Sequence, residues 1–220
     1  MTVPTSGPMS VPMSVPESVP ETAPREASPG LGAGRIEVVA GPMFAGKSEE
    51  LVRRVHRARL AGRAVVVVSH ALDTRSGAGR VASHSGLVVE SLQAASAADL
   101  PGLVPPGTEL VAVDEAQFFG PGLVEVATGL ADAGVVVVVA GLSVTFDGRP
   151  FEPLPALMAV AERVDKLTAV CAVCGRDAAY HVRVRADEPP GTVADAAAPV
   201  PAHVGGTESY QARCRLHRGG

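Results

Sequence analysis

The chain has no tryptophan, two tyrosines and five phenylalanines, so aromatic residues make up only 3% of it. A core must therefore be packed mainly from small aliphatic side chains. A hydrophobic content of 46% over 220 residues is enough for a sizeable one. Lysine is nearly missing, with Lys47 and Lys166 the two present. A formal net charge of −4 argues against a broad nucleic-acid-binding face. No apolar run reaches the ~18 residues that a membrane-spanning helix requires. The N-terminus lacks a charged region followed by an apolar block, so no secretory leader is expected. These absences predict a soluble, cytoplasmic protein with neither a membrane nor a nucleic acid as partner. Three cysteines cannot all pair with one another, which excludes a disulfide framework.

What is present is unevenly distributed. In residues 1–33 proline recurs every four positions, at Pro4, Pro8, Pro12, Pro16, Pro20 and Pro24. Such a segment cannot bury enough apolar area to offset its ordering entropy, and it predicts a disordered, extended arm. Residues 34–164 alternate buried-looking valine runs with amphipathic stretches. From 165 to 220 short segments surround the cysteines, which predicts a second, small subdomain.

Gly41-Pro42-Met43-Phe44-Ala45-Gly46-Lys47-Ser48 fits the phosphate-binding loop pattern G-x-x-x-x-G-K-[ST]. Glycines let the backbone curl so that successive N–H groups point at phosphate oxygens. Lys47 can reach the β- and γ-phosphates, and the Ser48 hydroxyl can hold Mg²⁺. The context agrees: residues 35–40 read as a strand leading in and 48–60 as a helix leading out. The positive end of that helix faces the same anion.

Further valine-rich runs at 64–69, 109–113 and 135–140 read as strands buried on both faces. Residues 70–86 read as a polar loop, 87–90 as a short strand, 93–100 as a short helix, 122–133 as a helix and 154–163 as a helix. The order predicts an α/β fold with a RecA-like parallel sheet, helices on both faces and ligands at the strand C-termini. Asp114, at the tip of the 109–113 strand, can hold Mg²⁺ through a water. Glu115 follows directly and points elsewhere, toward an acceptor whose hydroxyl proton it can take. The plainer alternative is an acidic pair at a helix N-terminus. Asp73-Thr74-Arg75 lies on the same rim, where Arg75 can brace phosphates; a solvated turn is the alternative.

Cys171-x-x-Cys174 and Cys214-x-x-His217 are two ligand pairs at knuckle spacing. A closed tetrahedral Cys₃His set predicts a structural Zn²⁺ site that pins the small subdomain. The competing readings are buried, unliganded cysteines or a redox pair. His56, His70, His84, His181 and His203 have no ligand spacing, and most are expected at the surface or in loops. His181 and His203 flank the zinc loop and can line the pocket.

Together these residues name a family. The loop at 41–48, Leu51-Val52-Arg53-Arg54, Asp73-Thr74-Arg75 and Asp114-Glu115-Ala116-Gln117-Phe118-Phe119 come first. Gly141-Leu142 with Thr145-Phe146, and Val204-Gly205-Gly206 with Tyr210, complete the set. In this order, over about residues 34–217, they resemble the zinc-containing, type II thymidine kinases. The resemblance implies transfer of the γ-phosphate of ATP to the 5′-hydroxyl of thymidine, with Mg²⁺, and Glu115 as the base. It implies ATP contacts from residues 41–48, Asp73, Arg75, Asp114 and Gln117. It implies a thymine pocket of Met43, Phe118, Leu142 and Phe146, with Val204, Gly205 and Tyr210 holding the base. It also implies a homotetramer and feedback inhibition by dTTP. The chain departs from the family pattern at Ser143, where aspartate is common, and at His181, where threonine is common. The 186–201 stretch is longer and richer in Ala and Pro than usual.

Three other functions remain open on sequence grounds. Asp-Glu-Ala-Gln resembles a helicase box, which raises a nucleic-acid-dependent P-loop ATPase, although a second motor domain and a basic groove are lacking. A zinc-ribbon binding module with a degenerate nucleotide site is the second. A deoxynucleoside kinase with altered base preference is the third.

Overall fold

The structure, a computed structural model, describes residues 34–73, 79–82, 86, 88–184 and 210–219. The arm at 1–33, Thr74, Arg75, His84, the 186–201 stretch, His203, Val204 and Gly205 lie outside these residues.

The chain opens with β1 (Arg35–Gly41), the loop 42–46 and α1 (Lys47–Leu60), followed by β2 (Val65–His70). Two short antiparallel strands follow, β3 (Arg80–Ala82) and β4 (Val88–Glu90), and then β5 (Leu92–Ala94). A 3₁₀ turn at Ala97–Asp99 runs into α2 (Leu100–Leu103). The rest of the main body is β6 (Leu110–Val113), a 3₁₀ turn at Ala116–Phe118, α3 (Gly122–Asp132), β7 (Val136–Leu142), α4 (Leu154–Val160) and β8 (Arg163–Lys166). The last described part holds β9 (Ala169–Val170), β10 (Asp177–Ala178), β11 (Tyr180–Arg183) and β12 (Tyr210–Arg213).

Six strands form one parallel sheet in the order β5-β2-β6-β7-β1-β8. β7 lies between β1, which feeds the phosphate loop, and β6, which carries Asp114 at its end. That is the RecA-like arrangement expected from the sequence. Successive side chains of a strand face opposite ways, and here both faces are apolar. Ile36, Val38, Val111, Val113, Val137 and Val139 pack with Leu123 of α3 and Leu154 and Leu157 of α4. Val39, Ala112, Val136 and Val138 pack on the other face with Leu51, Val52 and Val55 of α1. Close-packed small aliphatics thus replace the missing aromatics.

Three local expectations are corrected. Residues 93–100 are not one helix: Leu92–Ala94 pairs with β2 as an edge strand, and the turn begins after Ser96. Asp99 sets that start, its carboxylate accepting from the N–H groups of Ala95 at 3.1 Å and Ser96 at 2.8 Å. The predicted loop at 70–86 contains β3. The helix from Leu154 ends at Val160, and Arg163–Lys166 adds to the sheet beside β1. The open edge of β1 decides this, since its backbone groups need partners. Ile36 N–H donates to the Glu162 carboxylate at 2.7 Å, and Glu162 N–H donates to the Ile36 carbonyl at 3.1 Å.

Arg54 ties α1 to this edge. Its guanidinium donates to Glu37 of β1 at 2.7 Å, to Glu50 at 2.8 Å and to Asp165 of β8. Among the described residues no helix is long and apolar enough to cross a membrane.

Candidate active site and metal centre

The site lies along the C-terminal rim of the parallel sheet, where β1, β2, β6 and β7 end. Gly41 sits in register with Leu142, so the start of the phosphate loop lies beside the end of β7. Gly46 closes the loop at φ 79°, a left-handed conformation natural to glycine. Phe44 takes φ 66° without that freedom, a local strain of the kind that clusters at ligand-holding loops. Lys47 is buried and donates from Nζ to the Pro42 carbonyl at 2.7 Å, so it lies folded over its own loop.

Asp114 is 4% exposed and Glu115 7% exposed. Burial, then the neighbouring Glu115 charge, pushes the Asp114 carboxyl up to about 7, against a hydrogen bond from the Ser48 side chain. Asp73, itself buried, adds to the same negative field. Asp114, hydrogen-bonded to the Ser48 side chain and lying in the field of Glu115 and Asp73, is a hard-oxygen donor suited to Mg²⁺, and a cation there would relieve the repulsion. Asp73 N–H donates to the His70 carbonyl at 2.9 Å, which holds it at the end of β2.

Glu115 has φ 51° and ψ 45°, left-handed for a non-glycine residue. Gln117 donates from Nε2 to Glu115 Oε2, and its Oε1 accepts from Leu142 N–H at 3.0 Å. Thus Gln117, which the sequence grouped with the ATP contacts, touches the carboxylate and the end of β7.

Met43, Leu142, Phe146 and Tyr210 form one buried apolar cluster, with Phe44 and Phe151 packed against it. Met43, Leu142 and Phe146 are three of the four thymine-pocket residues that the resemblance implied, and Tyr210 is one implied to hold the base; the four come from three separate stretches. Phe118 is half-buried against His70, with ring centroids 5.8 Å apart. Phe151 went unnoticed as a lining residue. Its signal was its pairing with Phe146 in a Gly/Pro-rich loop of an aromatic-poor chain.

His70, expected in a loop or at the surface, is buried, and so is His181, expected to flank the zinc loop and line the pocket. His70 stands edge-on to Phe119 at 4.7 Å, and burial pulls its pKa down. His181 is 1% exposed and meets Tyr210 edge-on at 5.9 Å. It shares the inward face of the β11–β12 hairpin with Tyr210 and Ala212, because pairing puts opposed residues on one side. His56 is half-buried.

The second site is built on turns. The first knuckle leaves β9 and returns in β10, closed by Cys171 N–H to the Arg176 carbonyl at 2.8 Å and Gly175 N–H to the Cys171 carbonyl at 2.9 Å. The second follows β12, with His217 N–H donating to the Cys214 carbonyl at 3.0 Å. Ala172 N–H to the Ala212 carbonyl at 3.0 Å joins the two. The ligand atoms of Cys171, Cys174, Cys214 and His217 all lie within 4.8 Å of one another. Cys174 and Cys214 sulfurs are 3.7 Å apart, and His217 Nδ1 is 3.2 Å from Cys214 and 3.8 Å from Cys171. A tetrahedral zinc with bonds near 2.3 Å to sulfur separates its sulfurs by about 3.8 Å, so the cluster fits Zn²⁺. A disulfide, near 2.05 Å, does not fit. Although burial opposes it, hydrogen bonds from the backbones at Cys214, Val173 and Cys174 and from His217 bring Cys171 down to about 5, favouring the thiolate that binds metal.

A phosphate loop on one strand, with an aspartate ending the next strand but one, defines a P-loop nucleotide-binding protein. A family model described as thymidine kinase matches residues 34–218. The thymidine kinase of Deinococcus deserti is 46% identical over 194 residues, covering 84% of this chain and 94% of its own. That of Deinococcus radiodurans is 45% identical over 196 residues, with 84% and 90% covered. That of Bdellovibrio bacteriovorus is 42% identical over 184 residues, with 84% and 85% covered. Among solved structures, Thermomonospora curvata EccC (ATPases 2 and 3) in complex with a signal sequence peptide aligns at a TM-score of 0.37 and 17% identity. That alignment covers 57% of this chain and 28% of the other. The chain belongs to the thymidine kinase family and is an ATP-dependent phosphotransferase.

Proposed function

We propose that this chain transfers the γ-phosphate of ATP to the 5′-hydroxyl of thymidine, giving dTMP and ADP. The observation that carries the reading is the buried Glu115, next to Asp114 and joined through Gln117 to Leu142 of the apolar cluster, in a chain of this family. Phosphoryl transfer needs positioning and charge neutralisation more than covalent help. Lys47 swings from the Pro42 carbonyl onto the β- and γ-phosphates. Ser48 and Asp114 would hold Mg²⁺, whose charge would offset that on the phosphoryl oxygens. Asp73 and Arg75 complete the phosphate side. Glu115 takes the 5′-hydroxyl proton as the bond to phosphorus forms. Met43, Phe118, Leu142 and Phe146 wall the nucleoside, and Val204, Gly205 and Tyr210 hold its base. Zn²⁺ at the closed Cys₃His set is structural. A cytoplasmic homotetramer inhibited by dTTP belongs to the same reading and rests on the family resemblance.

Substituting Glu115→Gln keeps the shape and removes the base. We expect kcat to fall by roughly 10²–10⁴ with ATP affinity retained, the scale of general-base loss. Turnover of thymidine at the parent rate would refute the assigned role, and Asp73 would be the next carboxylate to test. A second reading, altered base preference, is favoured by the buried imidazole of His181 against Tyr210. ATP with thymidine, deoxyuridine, deoxycytidine and deoxyguanosine in turn separates the two: highest kcat/KM for thymidine supports the first.

A further inference from the structure

The amide of Gln117 is 5% exposed and bonded at both ends. Leu142 N–H can only donate, so the atom it meets must be the amide oxygen. The NH₂ group then has one direction left, toward Glu115, whose carboxylate can accept. The two contacts fix the orientation of the amide. The space for it is cut to size as well: a Cβ added to Gly141 would fall 2.9 Å from Gln117 Oε1, 3.2 Å from the Ala116 side chain and 2.8 Å from the Leu154 side chain. Glycine next to the C-terminal end of β7 therefore leaves room for the Gln117 amide together with the Ala116 and Leu154 side chains. On the other side, the left-handed backbone of Glu115 aims its carboxylate back across the turn to meet Gln117.

We propose that Gln117 is a positioning residue, a strut that holds the Glu115 carboxylate in place relative to Leu142, the wall of the nucleoside pocket. The inference rests on Glu115 acting as the base. Leu142 N–H belongs to the residue whose side chain lies in the apolar cluster with Met43, Phe146 and Tyr210. A nucleoside seated against that side chain is thereby indexed to the carboxylate through two hydrogen bonds rather than through a mobile loop. A carboxylate without the strut keeps its charge and loses its aim. Misplacing a reacting group by about 1 Å costs on the order of 10²-fold in rate.

The test is a double-mutant cycle with Glu115→Gln, read as kcat for thymidine phosphorylation and as ATP affinity by calorimetry. Gln117→Met removes both hydrogen bonds at similar volume. Gln117→Glu keeps an acceptor for Leu142 N–H and replaces the donor facing Glu115 by a second carboxylate oxygen. Expected results are a fall in kcat of roughly 10²-fold for either Gln117 variant, with ATP affinity within about two-fold of the parent. In the Glu115→Gln background, where no base remains to be aimed, Gln117→Met should change kcat by less than about three-fold. A merely structural role would give equal losses in both backgrounds, and Gln117→Glu would restore activity; either result overturns the proposal. Should Gln117→Met lose ATP binding through misfolding, Gln117→Glu, which keeps the bond to Leu142, decides alone. Parent-rate turnover by Glu115→Gln refutes the base assignment, and the strut falls with it. A slow Glu115→Gln beside an unaffected Gln117→Glu refutes the strut alone.

Discussion

At Arg54 one guanidinium holds three elements together. It is buried, and its partners Glu37 and Glu50 lie on β1 and α1, with Asp165 on β8. Replacing it by methionine would leave the buried Glu37 carboxylate without this partner. Glu37 keeps its second partner Arg35 at 2.7 Å, so the loss is that of charge-assisted hydrogen bonds, roughly 1.5–3 kcal/mol, and chemical denaturation should read a loss of that order. A loss under about 0.5 kcal/mol would show that the network is idle. Glu50 gives a pH-dependent counterpart. The hydrogen bond from Arg53, opposed by partial burial and reinforced by Arg54, holds its carboxyl down at about 2. A depressed folded value means that the stabilisation is present above the ordinary value of 4.5 and is lost as pH falls toward about 2. Arg53→Gln should therefore be less stable than the parent near pH 7, by ~1 kcal/mol or less for so exposed a pair, and converge with it at the acid end. Comparing the two proteins cancels any acid loss of metal from the thiolates.

At the scale of elements, the phosphate loop leans on the metal-binding hairpins. Phe44 and Ala45 pack against Ala169, Cys171, Ala178, Ala212 and Cys214. Phe44 also touches the pocket cluster, and its backbone is left-handed. A strained loop persists when its surroundings over-determine it, and part of those surroundings is the core that Cys171 and Cys214 line. Chelation of Zn²⁺, or Cys174→Ala, should loosen the 165–217 region and weaken ATP binding as well, although zinc takes no part in the chemistry. Metal content, hydrogen exchange over β9 to β12 and ATP calorimetry test this. Metal-free protein that binds ATP with parent affinity would sever the link, and metal-free protein as isolated would remove the zinc assignment itself.

For the whole molecule, the family match starts at residue 34 and β1 at Arg35. Removing residues 1–33 should leave melting temperature and turnover unchanged; loss of either would show that the arm packs or docks. The parallel sheet concentrates the chemistry on one rim because every βα connection leaves from the same end of the strands. Residues as distant in sequence as Met43 and Tyr210 then share one buried apolar cluster.

Much of this was readable in the linear chain. The phosphate loop, the Asp114-Glu115 pair, the paired knuckles and the long valine runs are local patterns, and local patterns encode strand, turn and ligand spacing directly. β5 and β8 were not legible. Leu92–Ala94 and Arg163–Lys166 are too short and too polar to signal a strand, and they became strands because β2 and β1 offered open edges. The burial of His70 was hidden for the same reason, since neighbours from other segments create it. Gln117 stands two residues from Glu115, yet spacing alone could not show that its other end reaches Leu142. That contact exists because β6 and β7 lie side by side, Glu115 turns left-handed and Gly141 leaves the space. Sequence determined which groups are available for phosphate, metal and proton; tertiary structure decided which of them face one another, because long-range pairing and packing set the distances over which those groups act.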